Sequence, residues 1–186
     1  MVIRCTWGRR PGVDVAIDLF LQFVSASPTG INVVGESVDK SHLQAITVST
    51  VEFGVENLTT IGSTSSGAGK TRLNAIKVTK SVDSASTALF QALTTGAHFP
   101  VMKLFVRKAG TTTPSDYAIY QFNLVYITKI DVSGGGYETL QEIVEMAYGA
   151  LQVNYAPMTA TGALGKQQTA TWNQVTNANT LDMPTM

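Results

Sequence analysis

The sequence predicts a mainly β fold, an antiparallel β-barrel of two packed sheets with one short α-helix at about residues 84–95. Three observations predict it. Six or so apolar stretches have strand length and β-branched or aromatic residues, breaks rich in Gly, Ser and Thr separate them, and a single segment carries a helical period.

The first strand is predicted from Val15, Ile17, Leu19, Leu21 and Phe23, which alternate with Ala16, Asp18, Phe20 and Gln22. Ser25 to Gly35, with Pro28 and two glycines, breaks it. A second extended region runs from about Gln44 to Asn57, where Ile46 and Val48, then Val51, Phe53 and Val55, carry the apolar positions. Their parity slips near Thr50, which predicts a bulge or bend. Leu58 to Gly69 is nearly uncharged and rich in Ser, Thr and Gly, so it reads as a long exposed loop.

Leu73 to Lys80 reads as a third strand. The period then changes: Ala85, Ala88, Leu89, Ala92 and Leu93 keep the spacing i, i+3, i+4, i+7, i+8, with Asp83 or Ser84 as cap and Gly96 at the end. Its narrow, Ala-rich stripe suits packing over an open end of the barrel. Phe99 to Lys108 is the next strand. Tyr117 to Ile130 is another, with Ala118, Tyr120, Phe122, Leu124 and Tyr126 on one face and Ile119, Val125 and Ile127 on the other. Apolar residues on both parities predict cover on both faces. Ser133 to Gly136 leads into a last long stretch, Tyr137 to Tyr155, ended by Pro157. This divides the chain into an N-terminal extension (1–14), a barrel domain (15–157) and a C-terminal tail (158–186). The tail is rich in Thr, Ala, Asn and Gln and, apart from Trp172, is expected to have little fixed order in an isolated subunit.

Charged residues make up only 14% of the chain against 44% hydrophobic. That balance fits either a Thr-rich monomer or a subunit whose faces are covered by neighbours. Net charge is zero, yet the charges are segregated. Pro11 to Gly69 holds six acids and one base, Lys40; Lys70 to Lys108 holds seven bases and one acid, Asp83; Ala109 to Ala156 holds five acids and one base, Lys129. Opposite fields on one subunit favour head-to-tail docking of copies, although a solvated face with internal pairs fits the same pattern. No nucleic-acid partner is expected, because the basic block matches no recognition motif and the chain as a whole is neutral.

The sequence offers no catalytic site, cofactor site or metal site. Gly67-Ala68-Gly69-Lys70-Thr71 resembles the end of a phosphate-binding loop, but the required glycine five residues before Gly69 is replaced by Thr64, and Leu73 to Lys80 after it reads as a strand rather than a helix. His42 and His98 are the only histidines and lie in no metal or triad pattern. Glu142 and Glu145, three positions apart on a strand, point to opposite faces. Cys5 is the single cysteine, so no disulfide framework exists. The start of the sequence has arginines but no apolar run after them, and no segment reaches the ~18 apolar residues of a membrane span, so neither a signal peptide nor membrane insertion is expected.

Three stretches resemble the haemolysin-coregulated protein family, the inner-tube subunit of type VI secretion systems and a relative of phage tail-tube proteins. Gly35, Glu36, Ser37, Asp39 and His42 stand as in the family's G-E-S-x-D-x-x-H run. Gly67-Ala68-Gly69-Lys70 and Lys77 to Asp83 precede Gly96-Ala97-His98-Phe99-Pro100 and Lys103 to Gly110, which includes Arg107 and Lys108. Leu151 to Tyr155 and Trp172-Asn173 complete the likeness, which covers about Val15 to Asn173.

The resemblance implies a tail-tube-like barrel, six copies of which form a ring, with rings stacking into a hollow tube. It further implies a protein made in the bacterial cytoplasm and secreted without a signal peptide through the type VI machine. The implied partners are a contractile sheath, a spike protein and small effectors in the lumen. It assigns a ring-stacking role to the loop after the second strand, here Glu56, Asn57, Leu58, Thr59, Thr60, Ile61, Gly62, Ser63 and on through Gly67 and Gly69 to Lys70. A tube protein of a phage or other contractile particle shares the architecture, and a monomeric ligand-binding barrel is the remaining alternative.

Overall fold

Alternating apolar residues place strands where the sequence predicts them, and the computed structural model of the chain describes residues 16–24, 26, 30–57, 70–108, 115–136, 139–159 and 163–184. In chain order these form β1 (Ile17–Phe23), β2 (Ile46–Val48), β3 (Thr50–Glu52), β4 (Val55–Asn57), β5 (Thr71–Leu73) and β6 (Ile76–Ser81). Helix α1 (Ala85–Thr95) comes next, then β7 (His98–Lys108), β8 (Asp116–Ser133), β9 (Gln141–Tyr155) and β10 (Gln168–Asn173).

Eight strands form one antiparallel sheet in the order β2-β1-β7-β8-β9-β6-β3, with β10 also on β9; the second sheet is the β4–β5 pair. The ends of that order, β2 and β3, are joined through Ser49 alone, whose N–H donates to Thr79 O at 2.8 Å. The parity slip near Thr50 is therefore the corner at which the chain crosses from one end of the sheet to the other, and it makes the sheet a nearly closed barrel. Leu21, Ile46, Val78, Leu104, Phe122 and Met146 fill the interior. The predicted strand from Leu73 to Lys80 is divided at Asn74, whose N–H donates to Gly54 O at 2.9 Å.

Helix α1 buries Ala85, Leu89 and Ala92 of the predicted stripe. Asp83 is its cap, with Oδ1 accepting from the Ala85 N–H at 3.0 Å. Gly96 closes it at φ 66°, and the Ala97 N–H returns to Ala92 O at 3.1 Å, the left-handed closure that glycine makes without strain.

Strand β8 departs from the predicted two-faced pattern. Ala118 and Phe122 face the core, but so do Val125 and Ile127, because Leu124 sits at φ 55° and resets the parity. The same offset recurs beside it: Phe99 and Met102 on β7, and Tyr148 and Leu151 on β9, are buried three apart. Phe99, Val125 and Tyr148 share one row, and Met102, Phe122 and Leu151 share another, so three strands bend along a single line.

The tail also departs from expectation. β10 pairs with β9 from Gln168 opposite Tyr155 to Asn173 opposite Ala150. Beyond it, buried Asn173 accepts from the N–H groups of Val175 (2.9 Å) and Thr176 (3.0 Å) and donates to Asp182 O (2.8 Å). Gln174 donates to Tyr148 O at 2.7 Å and accepts from the Leu73 N–H at 3.2 Å. Composition suggested a solvated segment; its amides instead satisfy backbone groups that would otherwise be stranded. Val175 and Met183 lie over Gly149, each 3.1 Å from where a Cβ would stand.

Candidate functional site

Segment 31–45 carries the G-E-S-x-D-x-x-H run; Ile31 and Val33 join the core, and Asp39 to His42 lie on the outward face of β1 and β7. Phe20 and Phe105 alternate with the core residues Leu21 and Leu104 and so point outward, and His42 stacks on both, with ring centroids 4.6 and 4.5 Å away. The segment folds back on itself: Gly35 N–H donates to Gln44 O (2.9 Å), Gln44 N–H to Ser37 O (2.8 Å), and Ser37 N–H to Ala45 O (3.1 Å). At Gly35 a Cβ would lie 2.3 Å from Ala45 O, so only glycine permits the approach. Gly35→Ala is expected to destabilise the fold by about 1–3 kcal/mol, read as a lower urea midpoint. An unchanged midpoint would remove this account of the glycine.

Asp39 anchors the segment. Its Oδ1 accepts from the N–H groups of Ser41 (3.0 Å) and His42 (3.1 Å), while Arg107 grips the carboxylate as a fork, NH1 to Oδ1 at 3.0 Å and NH2 to Oδ2 at 2.8 Å. The guanidinium also reaches Asp18 Oδ2 at 3.3 Å and lies 4.8 Å from the Phe20 ring centroid. His42 Nε2 is 3.0 Å from Asp116 Oδ1. Two motifs far apart in the chain thus meet in one clamp.

Hydrogen bonding from Arg107 holds the Asp39 carboxyl at about 2, below the ordinary 3.8, and the same contact raises the guanidinium further. Because the folded-state value is the depressed one, the contact stabilises above the ordinary carboxylate value, and this contribution fades as pH falls toward 2. Unfolding midpoints measured from pH 5 to 2 are expected to drop more steeply for this protein than for Asp39→Asn, the slopes differing below about pH 4. Parallel slopes would contradict the linkage.

Chemically, this cluster is a clamp. The His42 ring is enclosed by two aromatic faces and directed at a carboxylate, and among the described residues it makes no hydrogen bond to a hydroxyl or thiol nucleophile. Among the described residues no group of three or more His, Cys, Asp or Glu is placed to hold a metal. Lys70–Thr71 leads into strand β5 rather than a helix, so the phosphate-loop likeness lacks its helix N-terminus.

A second polar cluster underlies α1. Lys80, wholly buried, donates to Asp83 Oδ1 at 2.7 Å, Ser81 O at 2.9 Å and Ser86 Oγ at 3.1 Å, and pairs with Glu142 Oε1 at 2.5 Å. Glu145, as predicted, points the other way and pairs with Lys77 at 3.1 Å.

The profile described as "Type VI secretion system effector, Hcp" matches residues 20–155. Protein hcp1 of Pseudomonas aeruginosa is 31% identical over 151 residues, which cover 80% of this chain and 89% of that protein. The chain belongs to the Hcp family. That family is one of type VI secretion tube subunits and is not a known enzyme family. A solved structure of a type six secretion system protein superposes with a TM-score of 0.78 at 28% identity, covering 88% of this chain and 99% of the other. The crystal structure of Hcp1 from Salmonella typhimurium shares the fold, with a TM-score of 0.69 at 24% identity over 87% of this chain and 97% of the other.

In this Hcp chain the motif residues divide into two groups. Gly35, Ser37, Asp39, His42 and Arg107 form the clamp, and Glu36 extends it to the helix by accepting from the Ser84 N–H at 2.9 Å. Lys108 lies beside the clamp, opposite Ile17. His98, Phe99 and Pro100 lie at the other end of β7: His98 packs near Tyr126 at 5.4 Å, Phe99 is core, and Pro100 is exposed. Of the predicted loop, Glu56, Asn57 and Lys70 are placed at its base, where Glu56 pairs with Arg72 at 3.8 Å; Leu58 to Gly69 lie outside the described residues. Asp18 and Asp116 were not singled out by the sequence. Asp18 could have been, as an acid within an apolar strand, whereas nothing local distinguishes Asp116.

Proposed function

We propose that six copies of this Hcp chain close a ring and that rings stack into a hollow tube. In this reading the protein is made in the bacterial cytoplasm, leaves through the type VI machine without a signal peptide, and carries small effectors in its lumen. A contractile sheath and a spike protein are its other partners. The observation that carries the ring is the combination of open strand edges with uncovered apolar side chains. Among the described residues β10 has β9 on one side and, on the other, only the bridge from Asn173 to Ala178, and β8 beyond Tyr126 runs past the end of β7. Phe90, Leu43 and Val132 are 61%, 61% and 58% exposed. Edges and apolar residues of this kind are normally covered by a partner.

Electron microscopy of the purified protein tests this directly: closed six-fold rings with a central hole are expected, and a lone particle at high concentration would end the reading. The proposed stacking element is the loop from Glu56 to Lys70, and the segregated acid and base blocks orient successive rings. Deleting Ser63 to Ser66 is then expected to leave rings intact and shorten or abolish tubes. Raising salt is expected to loosen stacking before ring closure. Tubes unaffected by the deletion would remove the loop from stacking.

A further inference from the structure

Strand β9 has a gap along one edge. β6 pairs with it from Gln141 to Met146 and β10 from Ala150 to Tyr155, so Ala147, Tyr148 and Gly149 stand between the two strands and opposite neither. Gln174, the first residue after β10, occupies that gap. Its N–H donates to Gly149 O at 3.0 Å and its Nε2 to Tyr148 O at 2.7 Å, which satisfies both carbonyls. The residue before it is locked: buried Asn173 exchanges backbone bonds with Ala178 at 2.9 and 3.2 Å, and its side chain accepts from the N–H groups of Val175 and Thr176.

The same amide reaches the root of the β4–β5 ribbon. Asn74 N–H donates to Gly54 O, within the ribbon's own ladder, whereas the preceding N–H, that of Leu73, turns to the opposite edge and donates to Gln174 Oε1 at 3.2 Å. Gln174 thus stands where a third strand would. The ribbon has need of one: its strands are three residues each, with a largely exposed Glu56–Arg72 pair at 3.8 Å, and a hairpin of that size is marginal alone. The Leu73 side chain joins the core and pins the root, but one pinned side chain leaves the strand free to twist about it. Further out, a cleft of about 650 Å³ is lined by Asn57, Lys70 and Thr71 from the ribbon end and by Trp172, Val175 and Asn177 from β10 and the tail.

We infer, building on the reading in which the loop from Glu56 to Lys70 stacks successive rings, that Gln174 is the positioning residue of that loop: by tying Leu73 to β9 it sets the angle at which the ribbon leaves the barrel. An amide suits the task, because one side chain that donates to one element and accepts from another couples the two. The ribbon carries both ends of the loop, so a twist at Leu73 is passed outward to Asn57 and Lys70. In a symmetric ring the same misdirection recurs in every copy, and a contact made by several loops at once loses more than any single loop would.

The test separates the ribbon from the barrel. Gln174→Met keeps the length of the side chain and removes its donor and acceptor; Gln174→Ala, made separately, opens a path for water to both backbone partners should the first variant fold poorly. Rings of the parent and of each variant are compared by amide hydrogen exchange and by the protein concentration at which tubes appear in electron micrographs. The expected result is closed rings in which exchange at Arg72 and Leu73 is about tenfold faster while β6 and β8 keep the parent's rates, and tubes that need about tenfold more protein or do not form. Unchanged exchange at Leu73, or tubes at the parent's concentration, would overturn the inference. Faster exchange throughout the barrel would make Gln174 a general support of the fold and would also overturn it. If the parent forms no tubes, or forms them normally without Ser63 to Ser66, the stacking reading itself fails and this role in stacking goes with it, while exchange at Leu73 still shows whether Gln174 holds the ribbon.

Discussion

Replacing Glu142 with Ala is expected to destabilise the folded chain by roughly 3–5 kcal/mol, because it takes the nearer of two carboxylates from a buried ammonium, leaves Asp83 alone to pair with it and empties a buried side-chain volume. Lys80 is fully enclosed, and its closest partner is Glu142 at 2.5 Å, with Asp83 at 2.7 Å. Glu142 also accepts from Ser86 Oγ at 2.9 Å, so the loss spreads to the first turn of α1. For a domain of this size the thermal midpoint falls by about 2–4 °C per kcal/mol, giving a drop of about 10 °C, measured at one fixed protein concentration. The companion change separates charge from packing. The double variant Lys80→Met with Glu142→Leu removes that ion pair and keeps the volume, and it is expected to recover part of the loss, since an ion pair taken wholly out of water returns little net stability while Asp83 keeps only its bond from the Ala85 N–H. A double variant as unstable as the single one would show that the site depends on its hydrogen bonds to Ser81 and Ser86 rather than on charge balance.

Elements governed by local periodicity were legible in the sequence: the strands before the tail, the one helix among the described residues, and its ends at Asp83 or Ser84 and at Gly96. The corner near Thr50 was legible as a parity slip. Three features were not, and each has a tertiary cause. The reset at Leu124 depends on neighbouring strands bending along the same line, and a leucine in a positive-φ conformation leaves no local trace. Order in the tail depends on Asn173 finding backbone partners within the tail and Gln174 finding them on β9 and β5, whereas composition records only that the segment is polar. Asp116 stands opposite Arg107, beside the clamp, where β7 and β8 shift register between Val106 and Arg107. The motif residues themselves were visible through resemblance to the Hcp family, but their meeting was not, since Asp39 and Arg107 lie 68 positions apart.

Arg107→Ala is expected to cost about 2–3 kcal/mol, less than Glu142→Ala because its partners are partly hydrated: the Asp18 and Asp39 side chains are 40% and 26% exposed. The variant removes both prongs on Asp39, the reach to Asp18 and the cation over Phe20, so segment 31–45 loses its anchor beside His42. Chemical unfolding of the single variants Arg107→Met and Asp39→Asn and of the double variant closes a thermodynamic cycle, and a coupling of about 1.5–3 kcal/mol is expected for a fork of this kind. Arg107→Lys is expected to recover little of it, since a single ammonium cannot satisfy both Asp39 oxygens and Asp18 together. In every variant lacking the guanidinium the steeper acid limb below about pH 4 should shrink, because the largest influence lowering the Asp39 value has gone and only the Ser41 and His42 N–H groups still lower it. Full stability in Arg107→Lys with the acid limb intact would mean that charge alone positions the segment and that the fork geometry is incidental.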